Sequence, residues 1–437
     1  MSTTDNIRAG NGIAPTVAFM EYLLSGYTGA NFTVQLWEGT TVSARKDAAP
    51  AFHVTINDPG VIRDMFFPPG ELKTTESFFS GRIDITGDLI CAIESAQTML
   101  LPKLNLPSLF KMLRLVMALP SAGGRTSTPR YVAAERGQEH SLQRDKESVS
   151  FHYDVSNDFY SLWLDPRLVY SGAYFDHRDQ SLADAQVNKM DVLCRSLRLR
   201  EGQSLLDIGC GWGSFIMHAA KHYGVRCLGV TLSKEQAAFA NKRIAEEGLS
   251  SLCTVEVKDY RELDTRTTFD RITSIEMLHH VGGEHLQPFF TTVSALLKDQ
   301  GLCSFIAITK KDGPRFHNPA FAKKYFMPDY HLVTIGELLR YAEQARFEIT
   351  DLESLREHYY LTARHWLSNL EKNHDAAVTY VDEAVHRVWR LSFALMAFGF
   401  KTNLLQFYRC VLFKGAGKHF PGTLTRSHVY SGTPRSE

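Results

Sequence analysis

The segment Leu205-Leu-Asp-Ile-Gly-Cys-Gly-Trp-Gly213 reads as a strand running into a glycine-rich turn that opens a helix. Gly209 and Gly211 let the backbone turn tightly and approach a ligand where a Cβ would collide. Asp207 is placed to hold this loop or to meet a ligand ammonium group. Dinucleotide-binding loops space their glycines G-x-G-x-x-G, whereas here they run G-x-G-x-G after an acidic residue. The next strand ends in Gly229-Val-Thr-Leu-Ser-Lys-Glu-Gln236. Nicotinamide enzymes carry Asp or Glu at such a strand end for ribose hydroxyls; here Thr231 holds the tip and Gln236 follows, so a neutral amide takes the sugar. Thr231 and Ser233 also fit as helix N-caps. A third strand ends in Lys258-Asp-Tyr-Arg261, where Tyr260 can flank adenine and Asp259 can hydrogen-bond it.

The elements that position these residues follow from hydrophobic patterning. Short apolar runs at 204–208, 225–230, 253–257, 269–274 and 302–308 are strands, and helical segments at 212–223, 234–247 and 284–298 lie between most of them. Parallel strands need such crossovers, which predicts a doubly wound α/β sheet. Val378 to Leu412 reads as largely helical. In the first hundred residues, Phe32 to Trp37 and Phe52 to Ile56 alternate as strands, Val61 to Phe67 is apolar, and Gly81 to Asp88 looks like a strand and turn leading into a helix. Residues 120–147 carry Pro120, Gly123, Gly124, Pro129 and many charges, so the chain divides into a small N-terminal α+β domain (1–125), a linker (126–147) and a larger α/β domain (148–437). Leu101 to Leu119 fits either an amphipathic helix on lipid headgroups or, more plainly, a helix packed between domains.

Composition excludes several classes. Lys+Arg and Asp+Glu both number 48, giving no reason to expect nucleic acid. The seven cysteines are scattered without metal-ligand spacing, so no metal is expected and the thiols read as reduced and cytosolic. No secretory signal and no membrane-spanning run is evident, which places the chain in the cytoplasm, peripheral to a membrane at most.

Together, Phe151-His-Tyr-Asp-Val-Ser-Asn-Asp-Phe-Tyr160, Leu162-Trp-Leu-Asp-Pro166, Tyr170-Ser-Gly-Ala-Tyr-Phe175, the Asp207–Gly213 loop, Thr231–Gln236, Asp259-Tyr-Arg261 and His280-Val-Gly282 resemble the cyclopropane fatty acid synthase family, which includes the mycolic acid methyltransferases. The likeness spans roughly 148 to 415. It implies a Rossmann-like domain binding S-adenosylmethionine, with S-adenosylhomocysteine as product, and a substrate drawn from unsaturated phospholipid acyl chains at a membrane surface. The N-terminal region more weakly resembles the lipid-carrier-type domain of bacterial members, some of which are homodimers. By motif position Tyr170, Ser171, Gly209, Gly211, Thr231, Leu232, Gln236 and Tyr260 would contact the cofactor. Tyr170 and Tyr174 also suit aromatic packing.

Ring-forming members of the family hold a bicarbonate through a Cys, a Glu, a His and a Tyr, and all four positions look changed here. Gly172 stands for the Cys, His279 for the Glu and, by looser alignment, Ile306 for the His and Leu367 for the Tyr; a later family cysteine falls at Met396. Bicarbonate is therefore doubtful. Either His279 or His280 serves as general base, or both cap and pack; alternatively the substrate cation loses a neighbouring proton. That second outcome gives a methyl-branched unsaturated or exomethylene chain, which a redox partner enzyme could process further. Methyl branching is the favoured reading, with cyclopropane formation and a non-catalytic lipid-binding relative as alternatives. The terminal stretch after Glu383 is acid-free until Glu437 and carries Arg387, Arg390, Lys401, Arg409, Lys414, Lys418, Arg426 and Arg435, which could meet anionic headgroups. Arg364, His365 and Trp366 are candidates for the substrate entrance.

Overall fold

The computed structural model describes residues 12–45, 47–68, 70–100, 105–121, 132, 141, 144–145, 156–313, 319–415, 417, 419–420 and 422–430. The start of the Phe151–Tyr160 motif and nearly all of the 126–147 stretch lie outside them. The chain forms two compact units, one of Met1–Val132 with Pro319–Phe326 and Val381–Phe398, the other of Ala133–Asn318, Met327–Tyr380 and Gly399–Glu437.

The first unit is built on a four-stranded sheet, ordered β2-β1-β3-β4, of β1 (Phe32–Gln35), β2 (Thr41–Ser43), β3 (Phe52–Ile56) and β4 (Ile83–Gly87). The alternation that marks β1 as a strand turns Phe32 and Val34 into the core, where the Phe32 ring stacks on Phe52 at 4.7 Å. The apolar run after Asp58-Pro-Gly60 is the helix Val61–Phe66, and β4 leads directly into the helix Leu89–Leu100. The helix Glu383–Lys401 contributes Arg387, which pairs with Asp84 at 3.1 Å, and Arg390, which donates to the Ile85 carbonyl.

The second unit carries a seven-stranded sheet, ordered β10-β11-β9-β8-β5-β6-β7. Its members are β5 (Ser204–Ile208), β6 (Arg226–Thr231), β7 (Cys253–Val257), β8 (Phe269–Ile275), β9 (Leu297–Lys310), β10 (Glu348–Ser354) and β11 (Leu405–Phe413). β7, β6, β5, β8 and β9 run parallel, and β11 inserts antiparallel between β9 and β10. The order reverses beside β5, so its carboxyl end opens on the crevice where open α/β sheets bind ligands. Helices Ser214–Tyr223, Lys234–Glu246 and Leu286–Leu296 cover the faces, close to the expected spans.

Two expectations are corrected. The segment through Leu412 is not helical to its end: Leu405–Phe413 is a central strand, and its run of buried residues carries no alternation because both faces are covered. The terminal cations are not a free basic surface. Arg409 is wholly buried and paired with Asp351 and Glu353, Arg426 pairs with Asp351, and Lys414 donates to the Ser294 and Leu297 carbonyls. Lys418 and Arg435 lie outside the described residues. Among the described residues no helix is long and apolar enough to cross a membrane.

Candidate active site

The glycine loop leaves β5 with Gly209 at φ +82° and Gly211 at φ +54°, left-handed conformations that other residues adopt at a cost. A Cβ on Gly209 would lie 2.9 Å from Met277, whereas one on Gly211 would project into open space. Both line a cavity at the carboxyl ends of β5, β6 and β7, and the wall continues through Tyr170, Ser171, Asp207 and Thr231. Leu232, Gln236, Asp259, Tyr260 and His280 complete the sequence-derived set on that wall; His279 is buried but is not part of it.

Local chemistry fixes each group. Asp207 accepts a 2.7 Å hydrogen bond from Thr273, and burial lifts its carboxyl to about 7, moderated by that bond and by the Lys189 charge. Thr231 donates to the Gln236 amide oxygen at 2.8 Å, which leaves the amide NH2 outside this bond, while Ser233 caps the helix Lys234–Glu246. Asp259 is occupied within the protein: it caps the turn Tyr260–Glu262 and accepts from the Arg261 guanidinium. Tyr260 packs edge-on against Phe289 at 5.2 Å. Tyr170 both faces the cavity and packs on Trp163 and Trp366, whereas Tyr174 stacks on His358. Trp366 is a fully buried core residue, edge-on to Tyr359 at 5.8 Å.

Three groups on or beside the cavity, Lys189, Glu276 and Tyr359, belong to none of the sequence motifs. Lys189, buried in the helix Leu182–Ser196, donates to Ser171 Oγ; burial lowers its ammonium pKa, against the pull of Glu276, Asp165 and Asp207. Glu276 borders the cavity at φ +55°, just past the end of β8. One carboxylate oxygen accepts from the Gly172 backbone N–H at 2.6 Å and the other from Tyr359 Oη–H at 2.9 Å. Burial raises this carboxyl well above the usual range. The motif read alone leaves this region with no carboxylate and no tyrosine, because His279 and Leu367 fill the expected positions. The structure supplies both from neighbouring turns, Glu276 three residues earlier and Tyr359 two helical turns earlier. An acidic residue directly after an apolar strand in an α/β sheet was the available signal for Glu276.

The cavity fits S-adenosylmethionine on its own geometry: a bare backbone at Gly211, a buried carboxylate for the ammonium, and polar side chains at the ends of β6 and β7 for the nucleoside. The comparisons agree. The sequence pattern described as mycolic acid cyclopropane synthetase matches residues 140–410. A Pseudomonas putida protein named probable fatty acid methyltransferase is 33% identical over 404 residues, covering 91% of this chain and 95% of its own. A sphingolipid C9-methyltransferase of Komagataella phaffii is 29% identical over 358 residues, 79% of this chain and 70% of its own. The solved mycolic acid cyclopropane synthase CmaA1, complexed with SAH and CTAB, superposes with a TM-score of 0.59 at 30% identity, covering 62% of this chain and 98% of that one. Fold and site thus define an S-adenosylmethionine-dependent methyltransferase that acts on lipids. Within that class, the chain belongs to the mycolic acid cyclopropane synthetase family.

Proposed function

We propose that this enzyme C-methylates the double bond of unsaturated phospholipid acyl chains at a membrane surface, leaving a methyl-branched unsaturated or exomethylene chain. The observation that carries this reading is at Gly172. A Cβ there would lie 2.6 Å from Phe407 Cε1 and 2.8 Å from Tyr359 Cδ2, so the space a cysteine would need is filled by two buried rings. The site therefore lacks room for the thiol that the ring-forming pattern places beside its anion. A relative named sphingolipid C9-methyltransferase, and one named probable fatty acid methyltransferase, support methyl transfer to a carbon of a lipid chain. When bound, S-adenosylmethionine supplies an electrophilic methyl group. Asp207 holds the amino-acid end of the cofactor, and Gln236 with Thr231 holds the ribose. Tyr260 flanks the base, and Tyr170 and Ser171 close the wall nearest Lys189. Cyclopropane formation is the second reading, favoured by the described family and by a carboxylate, Glu276, on the cavity wall.

The membrane component of the reading is supported by the helix Leu106–Met117. Leu106, Phe110, Leu113 and Met117 recur at helical spacing and are 83%, 75%, 45% and 48% exposed, with Lys111 and Arg114 beside them. No acidic residue occurs between Glu94 and Glu135. An exposed apolar stripe flanked by cations is the arrangement that lies in an anionic lipid interface. The test is to give the purified protein methyl-labelled cofactor with vesicles of unsaturated or of saturated phosphatidylglycerol. Label in the unsaturated lipid alone is expected. Transfer to saturated lipid, or to neither, sinks the proposal.

A further inference from the structure

We propose that the Glu276 carboxylate is the base that removes the proton ending the reaction. This inference rests on the alkene-methylation reading above. Glu276 differs from the other left-handed non-glycine residues, Leu168, Arg198, Gln300, Arg346 and Asn403, in setting a carboxyl on the cavity wall. It adopts a left-handed backbone at φ +55° with a long side chain, and it brings an ionisable group into the protein interior. Glycine would relieve the first and an apolar residue the second. Retaining both at a cavity wall is the pattern of strain held at a working site.

The surroundings then orient the carboxylate. β8 ends at Ile275, and the Glu276 backbone N–H continues the sheet by donating to the Ile306 carbonyl at 2.8 Å. The side chain is clamped at both oxygens, by Gly172 N–H from one side and Tyr359 Oη–H from the other. Tyr359 is itself fixed, stacked on Phe400 at 4.3 Å and edge-on to Phe407 at 4.7 Å. Each carboxylate oxygen keeps a lone pair beyond its one hydrogen bond. Lys189 contributes positive charge, while Asp207 and His280 are further titratable groups on the same cavity wall. Burial raises the Glu276 pKa toward neutrality, which suits a base working near neutral pH.

The alkene π pair forms the bond to the transferred methyl while the carbon–sulfur bond breaks with its pair on sulfur, leaving the neighbouring chain carbon cationic. Glu276 takes a proton from a carbon adjacent to the cation, either a chain carbon or, once a 1,2-hydride shift has moved the cation onto the methylated carbon, the delivered methyl itself, which gives the exomethylene chain. That C–H pair becomes the new π bond, and the neutral carboxyl later releases its proton to water. Removal of a proton from the delivered methyl with closure onto the cation would give a ring instead, through the same base.

The full-length enzyme is assayed with methyl-labelled cofactor and unsaturated phosphatidylglycerol vesicles, with S-adenosylhomocysteine binding measured in parallel. Glu276→Gln keeps the shape and one acceptor oxygen; it is expected to bind S-adenosylhomocysteine within about three-fold of wild type yet turn over about 100-fold or more slowly. Glu276→Asp falls between. Tyr359→Phe removes a hydrogen bond that lowers the carboxyl pKa, so the acid limb of its kcat profile, read at saturating cofactor where Asp207 is already ionised, moves to higher pH, a shift a merely structural role would not produce. The inference is overturned if Glu276→Gln turns over within about five-fold of wild type, or if its loss of turnover matches a loss of S-adenosylhomocysteine binding. A fixed acid limb in Tyr359→Phe, or a wild-type rate that requires added bicarbonate, overturns it equally. A wild type that labels no lipid brings down the substrate reading and this inference with it, whereas a labelling wild type with an equally active Glu276→Gln brings down this inference alone.

Discussion

Placing a side chain at Gly172 perturbs the site at its most crowded point. Gly172 has no positive φ, so the cost of Gly172→Ala or Gly172→Cys is steric. The new Cβ meets Phe407 Cε1 at 2.6 Å and Tyr359 Cδ2 at 2.8 Å. Neither ring can swing away, because both are buried and pack against each other and against Phe400, with Trp366 edge-on to Tyr359. Overpacking of this kind costs about 1–3 kcal/mol. At about 2–4 °C per kcal/mol for a large domain, the melting temperature falls by roughly 2–12 °C, more for Cys than for Ala. The Gly172 N–H must also shift by a few tenths of an ångström from Glu276, which is expected to cost about ten-fold in turnover, since a 1 Å misplacement can cost about 100-fold. Thermal unfolding followed by the vesicle methylation assay reads both quantities. A Gly172→Ala protein that melts within about 1 °C of wild type and methylates at the wild-type rate would show that the Phe407–Tyr359 wall yields, and would refute the steric reasoning behind the proposed product.

Asp207 gives a pH prediction. Its folded pKa of about 7 lies above the ordinary carboxylate value of about 3.9, so the unfolded chain loses this proton first and the Asp207 contribution to cofactor-free stability declines as pH rises from about 4 to about 7, then levels off. Melting curves of wild type and Asp207→Asn across that range should diverge in the variant's favour, and S-adenosylhomocysteine binding should strengthen through about pH 7 in wild type only; parallel curves would contradict this. Arg409→Met leaves Asp351 and Glu353 without their buried partner and should lower stability by about 3–5 kcal/mol in urea titration, far beyond the ~1 kcal/mol of a surface cation. Phe110→Asp on the exposed stripe should weaken co-sedimentation with anionic vesicles at least about ten-fold while sparing S-adenosylhomocysteine binding; undiminished sedimentation would remove this helix from the membrane reading.

What the sequence made legible was local. The Asp207–Gly213 loop and the Thr231–Gln236 segment each encode a strand, a turn and a helix start within ten residues, so backbone requirements alone reveal them. Lys189, Glu276 and Tyr359 arise from segments 83 to 170 residues apart that only the sheet order brings together, and no single segment states that Gly172 N–H and Tyr359 Oη–H converge on one carboxylate. β11 escapes sequence periodicity for a related reason: a strand buried on both faces loses the alternation that identifies strands. Arg409 looked like a surface cation because its partners Asp351 and Glu353 lie on a strand more than fifty residues away.

The most direct test of methyl transfer without ring closure is the deuterium content of lipids from cells expressing this protein and fed methionine deuterated on its methyl, read by gas chromatography with mass spectrometry. The account predicts label on a still-unsaturated chain, three deuteriums in a methyl branch or two on an exomethylene carbon. Two deuteriums retained in a saturated cyclopropane adduct would contradict it.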